Sequence, residues 1–389
     1  MSLDKAAPAW SVSETGGTNM TRARILLASA AIAGVTGGAV AQETTIRIGL
    51  VRSIANGALA MGEERGYFKE AGIKIEQDFI ASSANAMALL GQGRLQIIAG
   101  GISAGYFNAL EKDIPIIITL DRVTTPIRHN LMIRPDLKDK IKDLKDLKGK
   151  IIASNGAGSI TTYEVGKMLE RVGLTIRDVE IKVIPFPQFA VAFENKAIDG
   201  ALVIPPFTYQ LIDKKLAVPF AAPDDLVQPQ PLSIAVNLIN TDWAKQNQEI
   251  LRKFYVALMR GVRDYCQAYH GGAIRKDLID ALIKTGAERR PELLHTFPWP
   301  ARNLTGRVNP ESLLDIQAWY AKNKFTTAQL PIARLVDYSY VERAWSTTAT
   351  LTTRTKSSVR SLWRTRPARS PAAAEARPAN QDGSFRGCC

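Results

Sequence analysis

The sequence repeats one pattern of strands and helices, and this repeat restricts the fold more than any other feature. Apolar runs predict two sets of four strands, at 45–51, 73–80, 95–101 and 114–122, and then at 131–134, 150–154, 180–186 and 199–205. Segments with helical spacing of apolar residues separate the strands within each set. The helix-to-strand junctions also match, as in RGYFKEAGI (65–73) and GKMLERVGL (166–174). We therefore predict two related α/β lobes with mainly parallel sheets.

The chain changes character after the second set of strands. One more strand is predicted at 231–239, and an amphipathic helix follows at 242–271, with Asp242 as its N-cap. The first set has no C-terminal helices of its own, so this block is expected to pack back onto it. The chain then crosses twice between the lobes, which predicts a hinge. We expect lobe 1 to comprise 42–124 and 235–345, and lobe 2 to comprise 125–234.

The first forty residues have the pattern of a secretory signal peptide. A basic stretch at 20–24 precedes an apolar run at 25–40, and the run ends in Ala39-Val40-Ala41. Small residues at these positions are typical of a signal-peptidase site, so cleavage is expected after Ala41 and the mature protein is expected in the periplasm. A start at Met20 is an alternative to Met1. The apolar run is shorter than the roughly 18–20 residues that span a bilayer.

The net charge of +13 is concentrated in part at the C-terminal end. From Ser346 onward the chain has eight Lys or Arg residues and two Asp or Glu residues. This segment is rich in Ser, Thr, Arg, Pro and Ala and has no apolar periodicity, so 346–389 is predicted to be a disordered basic tail. Binding to nucleic acid or to another acidic surface is the alternative, and we expect no nucleic-acid partner.

Candidate binding residues follow the predicted strands. Ligands of open α/β sheets lie beyond the carboxyl ends of the strands, where helix N-termini direct N–H donors at them. Each residue alone is more typical of a helix cap, but several at equivalent ends of two lobes indicate a site. The candidates at these ends are Ser53, Ile54, Asn56, Ser82, Ser83, Ile102, Ser103, Asn155, Gly156, Gly158, Ser159, Pro206 and Phe207.

Several motifs for catalysis are missing from the sequence. The glycines of 156–158 have no lysine behind them, as a P-loop requires, and no third glycine, as a dinucleotide fingerprint requires. There is no H-E-x-x-H motif. The three cysteines lack zinc spacing and the three histidines are scattered. We therefore expect a binding protein with no cofactor and no metal, and not an enzyme.

Three segments carry a resemblance to a known family. They are IRIGLVRSIANGALAMGEERGYFKEAGIKIEQDFIASSANAMALLGQGRLQIIAGG (46–101), LKDLKGKIIASNGAGSITTYEVGKMLERVGL (144–174) and NKAIDGALVIPPF (195–207). Together they resemble substrate-binding proteins of nitrate, sulfonate and taurine ABC transporters, which are grouped with NMT1/THI5-like domains. The resemblance covers about 45–345. Gln96 departs from it, because the family often has Asp there, and the basic tail has no counterpart.

This resemblance implies a type II periplasmic-binding-protein fold. It implies a monomer that captures a small solute between its lobes and delivers it to an ABC-transporter permease and ATPase, so that contact with the membrane is only through the permease. Arg128, with Arg122 and His129, is then a candidate for a charged contact near the hinge, although a solvated hinge face would also explain these residues. An organic anion such as a sulfonate or carboxylate is favoured, because no acidic cluster occurs at the strand ends. The alternatives are a pyrimidine-precursor-binding protein or synthase, and a sensor-associated binding protein.

Overall fold

Two five-stranded sheets form the framework of the protein. The computed structural model describes residues 43–327 and 329–344, so the predicted signal peptide and the predicted basic tail lie outside the described residues. The strands are β1 (Thr44–Leu50), β2 (Ile73–Phe79), β3 (Ile97–Gly101), β4 (Ile116–Val123), β5 (Asn130–Ile133), β6 (Ile151–Ser154), β7 (Glu180–Val183), β8 (Gly200–Val203), β9 (Val218–Ala221) and β10 (Ala235–Asn240).

The two sheets have equivalent strand orders. The order is β2-β1-β3-β10-β4 in the first sheet and β7-β6-β8-β5-β9 in the second. In each sheet the fourth position is taken by the strand that follows a crossing between the sheets, and it runs antiparallel to both neighbours. The remaining pairs are parallel. The two related α/β lobes are confirmed. In each sheet four strands run in the same direction, as expected of mainly parallel sheets, and the crossing strand makes the sheet mixed.

Helices cover both sheets. They are α1 (Gly57–Glu64), α2 (Tyr67–Glu70), α3 (Ser83–Gly91), α4 (Ala104–Glu111), α5 (Ile160–Glu170), α6 (Phe189–Glu194), α7 (Phe207–Asp213), α8 (Pro223–Leu226), α9 (Thr241–Gln246), α10 (Gln248–Tyr269), α11 (Ala273–Lys284), α12 (Pro291–Thr296), α13 (Pro310–Lys322) and α14 (Ile332–Leu335). Short 3-10 turns occur at Ile54–Asn56, Pro135–Leu137, Leu144–Leu147, Ile176–Asp178 and Phe186–Gln188. We call the part built on the first sheet lobe 1 and the part built on the second sheet lobe 2.

Two local predictions differ from the structure. The single helix predicted at 242–271 is divided into α9 and α10, and its N-cap is Asn240, whose side chain accepts a hydrogen bond from the backbone N–H of Trp243 at 2.8 Å. Strand β9 was absent from the predicted set. It contains Pro219, which cannot donate to a sheet and is tolerated at the edge position that β9 occupies.

The hinge region contains the two crossings and a third segment beside them. The crossings lie between β4 and β5, at 124–129, and between α8 and β10, at 227–234. The third segment pairs with the first crossing, since Thr124 N–H donates to the Ala301 carbonyl at 3.1 Å and Ala301 N–H donates to the Pro126 carbonyl at 2.9 Å. The predicted limits of the lobes at 124/125 and 234/235 stay predictions.

Helix α13 packs against both lobes. Its Tyr320 ring lies 6.0 Å from the ring of Phe107 on α4, and its Trp319 ring lies 5.6 Å from the ring of Tyr163 on α5. Asp315 of α13 accepts hydrogen bonds from Tyr163 Oη at 2.7 Å and from Lys167 Nζ at 3.0 Å. The C-terminal block therefore contacts lobe 2 as well as lobe 1.

The contact between α1 and α10 depends on a glycine. A Cβ atom at Gly261 of α10 would lie 2.1 Å from the carbonyl oxygen of Ala58 on α1. Because the obstacle is backbone, a side-chain rotation cannot relieve it. Glycine at this position lets the two helices approach, and the long apolar face of α10 is buried against α1 as a result.

We expect Gly261→Ala to destabilise the protein although alanine is the better helix former by about 1 kcal/mol. Overpacking typically costs about 1–3 kcal/mol, and here α1 has to move as a whole. Chemical denaturation of the purified protein measures the change. Gln267→Ala is the control, because Gln267 is exposed on the same helix, and we expect it to change stability by less than about 0.5 kcal/mol. Equal stability of Gly261→Ala and the native protein would contradict this packing.

Candidate functional site

A cavity of about 620 Å³, including solvent at its mouth, lies between the lobes. Both lobes contribute to it, because the ends of their parallel strands face each other across the cleft. It is lined by Val51, Ser53, Ala55, Ser82, Ser83, Gly100, Gly101, Ser103, Arg122, Val123, Ile127, His129, Asn155, Ser159, Ile160, Thr161, Phe186, Ile204, Pro205, Ile234, Ala235 and Pro300. The lining is therefore a ring of small polar groups next to an apolar wall.

Three helices point their N-termini at this cavity. Helices α3, α4 and α5 have Ser82, Ser103 and Ser159 as N-caps, and none of these side chains makes the usual capping hydrogen bond. The first N–H groups of a helix have no partner inside the helix and carry a partial positive charge. Their convergence creates a place where a negatively charged or acceptor group is favoured.

Lobe 1 presents three hydroxyl groups that are buried and have no partner. The side-chain oxygens of Ser82, Ser83 and Ser103 are inaccessible to solvent and make no hydrogen bond, and all three residues line the cavity. A buried hydroxyl without a partner costs roughly 1–3 kcal/mol. These groups are therefore available to a molecule that enters the cavity.

The loop of lobe 2 that faces them is internally organised. Ser154 Oγ lies 2.7–2.9 Å from the hydroxyls of Ser159, Thr161 and Thr162. Asn155 Nδ2 crosses the cleft and donates to the Ala81 carbonyl of lobe 1 at 2.9 Å. Ser154 itself does not line the cavity, and its hydroxyl network fixes the conformation from which Asn155 and Ser159 reach it.

The two lobes touch directly at one side of the cavity. Ala104 N–H donates to the Gly158 carbonyl at 2.9 Å, and Ser103 and Ser159 form an isolated β-bridge. A Cβ atom at Gly156 would lie 2.6 Å from Ser82 Oγ, which shows how closely the backbones approach. The cleft is in a closed arrangement, and a molecule in the cavity would be enclosed by both lobes.

Arg122 supplies a positive charge to the cavity from the end of β4. Its Nη2 donates to Asn56 Oδ1 at 2.6 Å and to the Ala55 carbonyl at 3.1 Å, and Arg302 Nη1 donates to the same carbonyl at 2.8 Å. Burial, together with the charge of Arg302, lowers the pKa of Arg122 to about 9. A negative charge beside Arg122 would offset the cost of burying this guanidinium.

His129 lines the cavity on the side of lobe 2. Its Nδ1 lies 2.9 and 3.1 Å from the two carboxyl oxygens of Glu164 on α5. Glu164 is fully buried, and burial raises its pKa while His129 opposes the rise. Because Nδ1 faces Glu164, Nε2 is the ring nitrogen that remains for a molecule in the cavity.

Six of the predicted binding residues line the cavity, namely Ser53, Ser82, Ser83, Ser103, Asn155 and Ser159. The other eight lie behind or beside it. Ile54, Ile102, Pro206 and Phe207 are buried, and Phe207 stacks on the cavity residue Phe186 at 5.5 Å. Asn56 holds Arg122, whereas Gly156 and Gly158 form the contact between the lobes. Arg128 donates its backbone N–H to Asp224 at 3.0 Å and does not line the cavity.

Arg122 and His129, which were candidates with Arg128 for a charged contact near the hinge, line the cavity. Other lining residues are not among the predicted candidates. Pro300 comes from the segment that pairs with the first crossing, Ile127 and Ile234 come from the crossings, and Ala235 is the first residue of β10. The positions of Ile127, Ile234 and Ala235 at or just before the start of antiparallel strands could have been inferred only from the strand order.

Over 43–327 and 329–344, no group of three His, Cys, Asp or Glu residues has the geometry to hold a metal ion. Within the same residues, none of the helices combines the length and the apolar character needed to cross a bilayer.

Comparison with known families gives one match. A family model described as NMT1/THI5 like matches residues 56–268, more than half of the chain. No curated protein matches the sequence at a significant level.

Solved structures share the fold at low sequence identity. The alkanesulfonate-binding protein SsuA from Xanthomonas axonopodis pv. citri, bound to MOPS, has a TM-score of 0.60 and 16% identity, covering 75% of this chain and 98% of that chain. The periplasmic nitrate-binding protein NrtA from Synechocystis PCC 6803 has a TM-score of 0.61 and 13% identity, with coverages of 78% and 89%. The desulfurization enzyme DSZB has a TM-score of 0.52 and 12% identity, with coverages of 78% and 99%. The predicted type II periplasmic-binding-protein fold is confirmed.

Proposed function

The chain belongs to the NMT1/THI5-like family, and we propose that it is a periplasmic solute-binding protein that closes on a small organic anion between its lobes. In this proposal the lobes comprise 42–124 with 235–345 and 125–234, and a monomer delivers the solute to an ABC-transporter permease and ATPase. The names of the two structural relatives, an alkanesulfonate-binding protein and a periplasmic nitrate-binding protein, support this role.

The observation that carries the proposal is the set of unpartnered hydroxyls at the closed cleft. Ser82, Ser83 and Ser103 are buried without partners in a cavity that three helix N-termini face. Proteins rarely leave buried polar groups unsatisfied. A solute with several acceptor oxygens would satisfy these groups, with Ser53, Asn155 and Ser159 as further contacts.

The charge of the cavity favours an anion. Arg122 contributes a buried guanidinium, and the cavity lining, as far as the structure describes it, contains no Asp or Glu. The apolar wall, which includes Phe186, Ile204 and Ile234, suits a solute with a carbon skeleton. A sulfonate or carboxylate with an apolar group therefore fits better than a cation or a sugar.

An enzyme on the same fold is the second candidate, since the desulfurization enzyme DSZB shares it. Nucleophilic catalysis would require a serine activated by a base. Among the residues that the structure describes, none of the serine hydroxyls lining the cavity is hydrogen-bonded to His129. We therefore favour binding. An absorbance spectrum of the purified protein tests for a bound chromophoric cofactor, which a pyrimidine synthase of this family would be expected to carry.

The export signal proposed within residues 1–41, with cleavage after Ala41, lies outside the described residues. It would place the protein in the periplasm, where it can meet the permease on the outer side of the cell membrane. N-terminal sequencing of protein from a periplasmic extract tests this, and a first residue at Gln42 is expected.

We expect organic anions to raise the thermal stability of the protein. A thermal-shift panel should contain butanesulfonate, benzenesulfonate, benzoate, nitrate, uracil and choline. A ligand at about 100 times its dissociation constant adds roughly 2.7 kcal/mol, and we expect this from a sulfonate or carboxylate. Choline is the control of opposite charge. Stabilisation by uracil alone would favour the pyrimidine alternative, and a panel without any stabilising compound would contradict the proposal.

Removing one of the unpartnered hydroxyls should change stability and affinity in opposite directions. Ser103→Ala removes an unsatisfied buried group, so the unliganded protein should be as stable as the native protein or more stable. The dissociation constant for the best anion of the panel should rise by roughly fivefold to tenfold, which is about 1–1.4 kcal/mol. Denaturation and isothermal titration calorimetry measure the two effects.

The matched control is Ser312→Ala. Ser312 is equally buried, but its hydroxyl accepts a hydrogen bond from Ser233 N–H at 3.0 Å and it does not line the cavity. Its loss should lower stability by roughly 1 kcal/mol and leave affinity unchanged. Unchanged affinity of Ser103→Ala would remove this hydroxyl from the binding site.

The close approach of the lobes gives a further prediction. Gly156→Ala would place a Cβ atom 2.9 Å from Ser82 Cβ across the cleft, and its φ angle is not in the left-handed region. The variant should keep its unliganded stability but close incompletely, and its dissociation constant should rise about tenfold or more, which is about 1.4 kcal/mol. The neighbouring exposed residue provides the control Ala157→Ser. Native affinity in Gly156→Ala would show that the solute does not require this closed arrangement.

A further inference from the structure

The pair formed by His129 and Glu164 is a titratable group at the cavity wall, which also contains Arg122. The imidazole lines the cavity, and the carboxyl group behind it is fully buried on α5, within 2.9 and 3.1 Å of Nδ1. The carboxyl group does not line the cavity. It therefore acts on a solute through the ring that stands in front of it and through the charge of the pair.

The number of protons on the pair determines what Nε2 presents to the cavity. When the pair holds two protons, one lies in the hydrogen bond between Nδ1 and the carboxyl group and the other is on Nε2. This is true both of an imidazolium beside a carboxylate and of a neutral imidazole beside a carboxylic acid. Nε2 is then a hydrogen-bond donor and the pair has no net charge. With one proton, the hydrogen bond retains it, Nε2 becomes an acceptor, and the pair has a charge of −1.

The surroundings of the pair favour the two-proton state. Burial raises the pKa of Glu164, His129 opposes the rise, and Asp224 adds to it. Tyr163 and Tyr320 are the other titratable groups near the carboxyl group, and burial raises the pKa of both, so neither becomes an anion near neutral pH. Arg122 lines the same cavity and is the positive group of the wall.

We propose that Glu164 is a positioning residue that fixes His129 with Nε2–H directed at the solute. The site then selects a solute that places an acceptor oxygen at Nε2. At alkaline pH the pair loses its second proton, so an anionic solute loses a hydrogen bond and meets a negative charge. This inference rests on the proposed function, because it assumes an anionic solute in the cleft.

The test compares the pH dependence of binding in Glu164→Gln and in the native protein. Butanesulfonate and benzoate are suitable probes, because neither titrates above about pH 6. Arg122 is present in both proteins, so the ratio of the two dissociation constants isolates the pair. We expect the dissociation constant of the native protein, divided by that of Glu164→Gln, to rise with pH. The rise should reach up to about tenfold per pH unit above the pH at which half of the pairs have lost their second proton. The amide introduced by Glu164→Gln does not titrate, so this variant lacks the ionisable partner of His129.

Two further variants control this measurement. Asp315→Asn removes a carboxylate that also contacts α5, through Tyr163 and Lys167, but does not touch His129. Its dissociation constants should follow the native pH profile. His129→Gln keeps an N–H donor without a titrating ring and should lack the alkaline loss. A ratio that stays constant between about pH 7 and pH 9.5 would overturn the inference while leaving the proposed function intact.

The free protein provides a test that needs no solute. The chain has three histidines, so ¹⁵N signals of labelled imidazole can be assigned to His129 by comparison with His129→Gln. We expect Nε2 to be protonated at neutral pH and to lose its proton in a step that Glu164→Gln shifts and Asp315→Asn does not. An unprotonated Nε2 at neutral pH, or a step unaffected by Glu164→Gln, would overturn the inference even if no compound of the panel binds.

Discussion

The site depends on the direct backbone contact between the lobes, where Ala104 N–H donates to the Gly158 carbonyl and Ser103 pairs with Ser159. Helices α4 and α5 begin at these residues, so the same contact that closes the cleft brings their N-termini together. Glycine at 158 adopts a φ of +60°, which an L-residue rarely adopts. The glycines of this loop are thus explained by the closed contact between the lobes. In a nucleotide-binding loop, glycines would instead let the backbone approach a phosphate.

The buried charges explain why such a cleft would favour an anion over a neutral solute. Arg122 and Arg302 donate to one carbonyl, that of Ala55, and burial raises the pKa of the adjacent Asp121 to about 8. A neutral Asp121 leaves the positive charges less compensated at neutral pH. An anion at Arg122 would supply the missing charge, and the serine hydroxyls would supply the hydrogen bonds. In the proposed function, charge would therefore set the sign of the solute, and the hydroxyls would set its geometry.

The sequence predicts the architecture and about a third of the residues that line the cavity, counting Arg122 and His129, for a physical reason. Parallel strands end at the same edge of a sheet, so the residues that follow them, such as Ser82, Ser103 and Ser159, could be identified from the strand pattern. The crossing strands β5 and β10 run in the opposite direction, so it is their first residues that reach this edge. Ile234 immediately precedes β10 and was missed, because direction within a sheet is a tertiary property. His129 immediately precedes β5 and was a candidate only through the family resemblance.

The equivalence of the two sheets shows how a duplicated framework acquires a specific site. Strand β4 occupies the position in the first sheet that β9 occupies in the second, and β10 corresponds to β5. Arg122 lies near the end of β4, whereas β9 ends in the apolar pair Phe220 and Ala221. His129 precedes β5, whereas Ile234 precedes β10. At each equivalent pair of positions one residue is charged or titratable and the other is apolar. Duplication therefore accounts for the converging helix N-termini, and the differences between the copies account for an asymmetric cavity with a polar ring and an apolar wall.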